Sequence, residues 1–410
     1  GYTAEGFIVQ NSWGTSWGTG GLAVLTYPDW IENAMDCWVA QLGVATEQHR
    51  EIARSPSLRV ERGRVQIAAD VNLRNRELSP FVIDMENNGR LSASGTFRTQ
   101  KADVEALVTL HVAEARKKWG LKAGAPTDVA IYAHGGLTDE EAAAATAARW
   151  IPALYEARIF PIFLMWETDL WSTLRNRLQD LVLGLPKPTG GLMDQLTRFW
   201  NQRLERLLAP AGAVIWGEMK QNAGAISARD RESGGLLLYE SGMKSPWFTQ
   251  TPVRLHLIGH SAGSIVHCHI VEQLAALGWK FESVNFMAAA ATVDLFKRTL
   301  LPRLKDRTVK QFRSFHLTDS AEQQDTTCRP VLGYNRSLLY LVSESFEGGV
   351  RTPILGMEKY FDRDVGSLGL ASVKAWMAPA PATASTTHGG FDDDPATRES
   401  IIKLIIGQRV

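Results

Sequence analysis

Gly259-His260-Ser261-Ala262-Gly263 sets a serine between two glycines. The apolar run Val253-Arg254-Leu255-His256-Leu257-Ile258 precedes it, and Ala262 to Leu277 continues with helical spacing. A serine hydroxyl is a weak nucleophile until a neighbouring base takes its proton. In a tight strand-to-helix turn the hydroxyl is lifted above the sheet edge. The N–H groups that follow then point at the oxygen of a carbonyl under attack. Glycine on either side removes the Cβ atoms that would collide where strand and helix close on each other. The chemistry this spacing suits is acyl transfer through Ser261, with the Ala262 N–H as one oxyanion donor.

Such chemistry needs a second donor, a base and an acid. His134-Gly135-Gly136-Leu137 closes an earlier strand and precedes a helix, so its backbone can face the elbow. Gly135, Gly136 and Leu137 are the candidate donors, and His134 is expected to order their loop. His388, in Thr386-Thr387-His388-Gly389-Gly390-Phe391, lies between the last strand and the last helix and is the candidate base. His267 and His269 fall on the helix after the elbow, while His256 and His316 fall in strands; packing explains those. The acid is assigned to Asp319, which follows the strand Gln311–Leu317 within two residues. Asp325, Asp294 and Glu344 are its competitors. In the order Ser, Asp, His, the acid would orient His388 and stabilise its charged form.

The surrounding elements must hold these groups in place. Phe81–Met85 and Leu91–Phe97 flank Asn87-Asn88-Gly89, a hairpin signal, and Ala102–Trp119 carries a helical apolar stripe. Strands Asp128–Tyr132, Phe160–Trp166, Val253–Gly259, Ser283–Met287, Gln311–Leu317 and Val373–Met377 alternate with helical stretches. That alternation predicts an α/β protein with a mostly parallel sheet and helices on both faces. An insert from 168 to 252 separates the strand ending at Trp166 from the elbow strand. Its leucines recur at helical spacing, and a connection of that length carries structure of its own. The expectation is a helical cap whose Trp171, Trp200 and Trp216 line the substrate pocket. The alternative is an insert docked on the sheet's flank, serving core contacts or a homo-oligomer.

From Val65 to Val410, Gly259–Gly263, His134–Gly136, the later Asp and His, and the alternating pattern resemble the α/β-hydrolase fold. The resemblance implies an eight-stranded, mostly parallel sheet and serine-hydrolase chemistry, usually on carboxylic esters, with no metal or organic cofactor. The His-Gly-Gly loop is similar to that of lipases and esterases, although Leu137 stands where a third glycine is common. The fold also carries amidases, acyltransferases and non-catalytic modules, so the binding module remains the reading from another class. Gly6-Phe7-Ile8-Val9-Gln10-Asn11-Ser12-Trp13-Gly14 resembles the last part of a papain-like cysteine protease. By that resemblance Asn11 and Trp13 match the Asn that orients the family's His and the Trp that shields it. No cysteine precedes Cys37 and no histidine precedes His49, so protease activity is not expected. The domain expectation is therefore 1–45 papain-like remnant of a fusion, 46–64 linker, and 65–410 hydrolase domain with its insert.

Composition bounds the partners. Among 410 residues, 44 Lys+Arg balance 44 Asp+Glu, which argues against nucleic acid or an anionic membrane as a bulk electrostatic partner. No run of eighteen apolar residues appears, so no integral membrane segment is expected. Cys37, Cys268 and Cys328 form no C-x-x-C pair and no disulfide framework, which fits a reducing, cytoplasmic compartment. No basic stretch followed by an apolar one marks a signal peptide. The expected partner is a small-molecule ester.

Overall fold

The computed structural model describes residues 3–10, 16–33, 59–61, 64–66, 75–136, 140–166, 193–325, 327–328 and 334–410. The chain divides into two compact units, Gly1–Thr46 and Glu47–Val410. In the first, β1 (Gly6–Gln10) pairs antiparallel with β2 (Leu22–Thr26), and Gly6 faces Thr26. Phe7 meets Tyr27 and Trp30 edge-on at 5.1 and 5.2 Å, which gives this hairpin a small aromatic core. Asn11 and Trp13 lie outside the described residues.

The second unit is α/β. A short antiparallel pair, β3 (Arg59–Glu61) and β4 (Arg64–Gln66), precedes the main sheet. Among the described residues that sheet has seven strands, where the resemblance implies eight: β5 (Val82–Met85), β6 (Thr127–Ala133), β7 (Ile159–Trp166), β8 (Val253–His260), β9 (Ser283–Met287), β10 (Phe312–Leu317) and β11 (Val373–Ala378), in the order β11-β10-β9-β8-β6-β7-β5. Every neighbouring pair is parallel. Parallel neighbours need crossovers, and helices lie in them: α1 (Glu140–Glu156), α2 (Met193–Ala225), α3 (Gly234–Lys244), α4 (Gly263–Ala275) and α5 (Val293–Lys305); α6 (Pro395–Ile405) follows the last strand. With both faces covered, β7 reads as an unbroken apolar run and β6 as one from Val129 onward, and both are buried along their whole length. β8 is the middle strand, so the turn after it opens at the centre of the sheet's C-terminal edge.

Two expectations are corrected. The Asn87-Asn88-Gly89 turn forms, with Gly89 at φ +77°, but Leu91–Phe97 is not a strand. One bridge, Met85 to Leu91, replaces a ladder. Side chains take the backbone groups of this segment instead: Ser92 Oγ donates to Ser94 O at 3.1 Å, and Glu140 Oε1, from the start of α1, accepts the Thr96 and Phe97 N–H groups at 2.8 and 3.1 Å. β5 is left free to pair with β7. The helix expected over 102–119 is interrupted by a π turn, Leu107–His111, between Lys101–Ala106 and Val112–Lys118.

The described part of the insert is helical. α2 presents the buried Leu204, Leu208, Ile215, Trp216 and Met219, while α3 contributes Leu237 and Leu238. A Cβ on Gly212 would stand 2.1 Å from Phe346 Cδ1, so α2 approaches the 342–346 turn closely at that glycine. Among the described residues no helix is long and apolar enough to cross a membrane.

The elbow's second glycine sets a limit that can be tested. A Cβ at Gly263 would lie 2.1 Å from Ala133 O and 2.9 Å from His134 O, both backbone atoms. Gly263→Ala is expected to cost at least about 1–3 kcal/mol, the range for overpacking a filled core. Chemical denaturation of both proteins measures it, and an unchanged midpoint would contradict this packing.

Candidate active site

The turn between β8 and α4 holds Ser261 at φ +50°, a left-handed conformation that costs a side-chain-bearing residue energy. The chain around it fixes this state. Ser261 N–H donates to Met287 O at 2.9 Å, and Ser261 O accepts from Ala290 N at 3.0 Å and Ser264 Oγ at 2.6 Å. Ser264 Oγ in turn accepts the Ala291 N–H at 3.0 Å. The small residues after β9 therefore form the seat of the turn, and their lack of bulk lets the two backbones meet.

The turn His388–Asp392, just before α6, carries the partner of the serine. Ser261 Oγ donates to His388 Nε2 at 2.9 Å. Both residues are buried, at 3% and 1% exposure. Burial and the charge of His260 push the His388 pKa down to about 3, so the ring is neutral and able to accept a proton across the ordinary pH range. Its Nδ1 has no hydrogen-bond partner among the described residues.

Of the four candidate acids, the structure brings Asp325 to the histidine. Asp325 Oδ2 accepts the His388 main-chain N–H at 2.6 Å, and its Oδ1 accepts from Thr327 N and Oγ1 at 2.7 and 2.6 Å. Asp319 is not at the base. It opens the short helix Asp319–Glu322, and its carboxylate accepts from Tyr340 OH at 2.7 Å and Gln323 Nε2 at 2.6 Å. Closeness to the strand end pulls Asp319 into that helical turn, and the chain needs the further turn to Asp325 to reach His388. Asp294 pairs with Arg298 on α5, and Glu344 pairs with Arg351.

The His-Gly-Gly loop meets the elbow. His134 Nδ1 donates to Gly135 O at 2.8 Å, and its Nε2 accepts the Trp166 N–H at 3.3 Å, so this ring orders the loop. A Cβ on Gly135 would lie 3.2 Å from Ser261 Cβ, and one on Gly136 would lie 3.1 Å from Ala262 Cβ. The N–H groups of Gly136 and Ala262 have no acceptor among the described residues. Two such groups in the loops that meet at a serine can receive a developing oxyanion. Leu137 lies outside the described residues.

The insert reaches the site through a residue the sequence did not single out. Met219 of α2 approaches Gly136 so closely that a Cβ there would fall 2.4 Å from its sulfur. Trp216, one turn earlier, is a strut: its Nε1 donates to Glu347 Oε1 at 2.7 Å, beside Lys220 Nζ on Oε2 at 2.7 Å. Trp171 and the side chain of Trp200 lie outside the described residues. A cleft of about 340 Å³ opens beside the seat of the turn, bounded by Ala290, Ile265, Lys220, His269, Asp294 and Arg298. No three His, Cys, Asp or Glu side chains gather as a metal site among the described residues. No protein-family model and no curated protein matches the chain.

The acid loop contains a second buried carboxyl whose state can be read. Burial raises the Glu322 pKa to about 8 from 4.5, helped by the charges of Asp325 and Asp319, while a hydrogen bond from Ser337 opposes the shift. A raised folded pKa means stability that is complete below the unfolded value and falls away as pH rises towards about 8. Glu322→Gln keeps an acceptor for Ser337 and removes the ionisation. The variant's melting temperature relative to the parent should rise steadily from pH 4.5 to pH 8. A difference independent of pH would contradict the buried neutral acid.

Proposed function

We propose that this chain is a serine hydrolase of the α/β-hydrolase type that cleaves carboxylic esters through an acyl-enzyme. One observation carries the reading: the Ser261 hydroxyl, at positive φ on a strand-to-helix turn, donates to the buried, neutral ring of His388 at 2.9 Å. The seven-stranded parallel sheet, with the turn at the end of its middle strand, is compatible with that fold and supports the reading.

In this mechanism Ser261 Oγ attacks the acyl carbon as its proton passes to His388 Nε2. The carbonyl oxygen becomes an oxyanion held by the N–H groups of Ala262 and Gly136. His388 returns the proton to the leaving alcohol, which departs as the carbonyl re-forms. Water then repeats the sequence on the acyl-enzyme and releases the acid. Asp325 takes the role first assigned to Asp319. It acts on the main chain of His388, so the base is oriented through its backbone.

Hydrolysis of short p-nitrophenyl esters tests the proposal. Ser261→Ala is expected to lose on the order of 10³-fold or more in kcat/KM, as for other triad nucleophiles. Parent protein that folds but turns over no ester or amide, with or without an alcohol acceptor, would make the chain a binding module. Turnover that requires an amide or an acceptor would make it an amidase or acyltransferase. Asp325→Asn should cost roughly 100-fold through misplacement of the base, whereas Asp319→Asn should leave kcat within a few-fold of the parent. If Asp319→Asn is the damaging change, the acid assignment is reversed.

A further inference from the structure

His260 fills the variable position of the elbow, directly before Ser261. Its side chain is buried, and both of its nitrogens face the turn that carries His388. Nε2 donates to His388 O at 3.0 Å. Nδ1 stands 2.7 Å from Asp392 Oδ2, close enough for an ion pair although off the axis of its N–H bond. Asp392 is the last residue of the same turn, four positions after His388. Its other oxygen accepts from Tyr132 OH, and its main-chain carbonyl accepts from Trp150 Nε1 at 3.1 Å. One side chain on the nucleophile's strand thus holds both ends of the base's turn.

A carbonyl oxygen can only accept, so Nε2 of His260 must carry a proton. Nδ1 faces a carboxylate, so a second proton there is favoured. Burial alone would push the His260 pKa down; the charge of Asp392 and the hydrogen bond to His388 O more than reverse this, and the pKa is raised. The same pairing holds Asp392 below the ordinary carboxylate range against the cost of burial. The other charged or titratable groups facing this pair are Asp393, itself paired with Arg149, together with Tyr132, His134 and His388.

From this arrangement we infer that His260 is a positioning residue for the reaction: as an imidazolium paired with Asp392, it clamps the His388 turn to the strand bearing Ser261 and keeps the His388 ring neutral. The inference rests on the serine-hydrolase reading for its kinetic consequence. Two contacts define the clamp's geometry. Asp325 takes the main-chain N–H of His388, and His260 takes its main-chain carbonyl. The base is therefore gripped by its own main-chain N–H and carbonyl, while its Nδ1 has no hydrogen-bond partner among the described residues. The rings of His260 and His388 lie 5.4 Å apart, so a positive charge on the first opposes protonation of the second. Because His260 is adjacent to Ser261, a shift of the base's turn is resisted by the same backbone that sets the nucleophile.

Two substitutions separate the clamp from the charge. Gln at 260 can still donate to His388 O but carries no charge, whereas Ala does neither. Imidazole ¹H–¹⁵N spectra of the intact, histidine-labelled chain read both rings whether or not the serine turns over. The expected result is His260 protonated on both nitrogens at pH 7 with His388 neutral, and a His388 midpoint about one pH unit higher in His260→Gln. A neutral His260 at pH 7, or a His388 midpoint unmoved by His260→Gln, would overturn the inference. Labelling rates with a fluorophosphonate add the kinetic arm. His260→Ala should slow labelling roughly 100-fold, with most of the rate recovered in His260→Gln and its acid limb displaced upward. Equal rates and superimposable pH profiles for all three proteins would likewise overturn it. Absence of labelling in the parent protein would refute the hydrolase reading, and the spectra would still decide the state and effect of His260.

Discussion

The rest of the site depends on one backbone constraint, the left-handed turn at Ser261. Strand β8 and helix α4 can meet there because Gly259 and Gly263 present no Cβ to each other or to the loop after β6. A Cβ on Gly259 would lie 2.9 Å from the His267 ring and 3.0 Å from the backbone of Gly263. Close approach then brings the ends of β6, β8 and β9 to one point. The His-Gly-Gly loop, the elbow and the small-residue run Ala288 to Ala291 occupy that point together. Every group proposed for chemistry is referred to it. Ser261 is on the turn, the two N–H donors border it, and His260 reaches from it to the turn of His388.

Burial decides the electrostatics around that turn. Desolvation is the largest influence on His388, His260, Asp392 and Glu322 alike, yet the outcomes differ with the partners. His388 Nδ1 meets no carboxylate among the described residues, and a cation lies nearby, so the ring stays neutral. His260 and Asp392 face each other and stay charged. Glu322 has one hydroxyl donor and two acidic neighbours, so its proton is retained well above the usual carboxylate range. Burial of all four thus yields a base, an ion pair and a neutral acid within two loops and one strand end.

Much of this was legible in the sequence, because apolar periodicity and glycine spacing are local signals. The strands of the parallel sheet were expected within a residue or two of their observed ends, and Ser261 and His388 were singled out as the groups that now meet. What escaped depends on how loops fold after the sheet. Asp319 satisfied a rule of proximity to the strand end, but capping chemistry at Thr318 starts a helical turn that carries its carboxylate to Tyr340. The next acid in the loop reaches the base. The Leu91–Phe97 segment had the alternation of a strand and lost it to serine side chains bonding their own backbone. His260 looked like a spacer because the elbow pattern leaves its position open. Its spatial partner is Asp392, 132 positions away by subtraction of the two residue numbers, a separation that no local pattern reports. Met219 was one apolar residue among many on a long helix, distinguished only by the glycine it faces.

The central claim is that Ser261 is a nucleophile whose attack places an oxygen between the N–H groups of Gly136 and Ala262. A crystal structure of the chain after reaction with diethyl p-nitrophenyl phosphate tests it most directly. The account predicts phosphorus bonded to Ser261 Oγ, with the phosphoryl oxygen about 2.7–3.1 Å from both nitrogens. Phosphorus on another residue, or on Ser261 with its phosphoryl oxygen turned away from both donors, would contradict it.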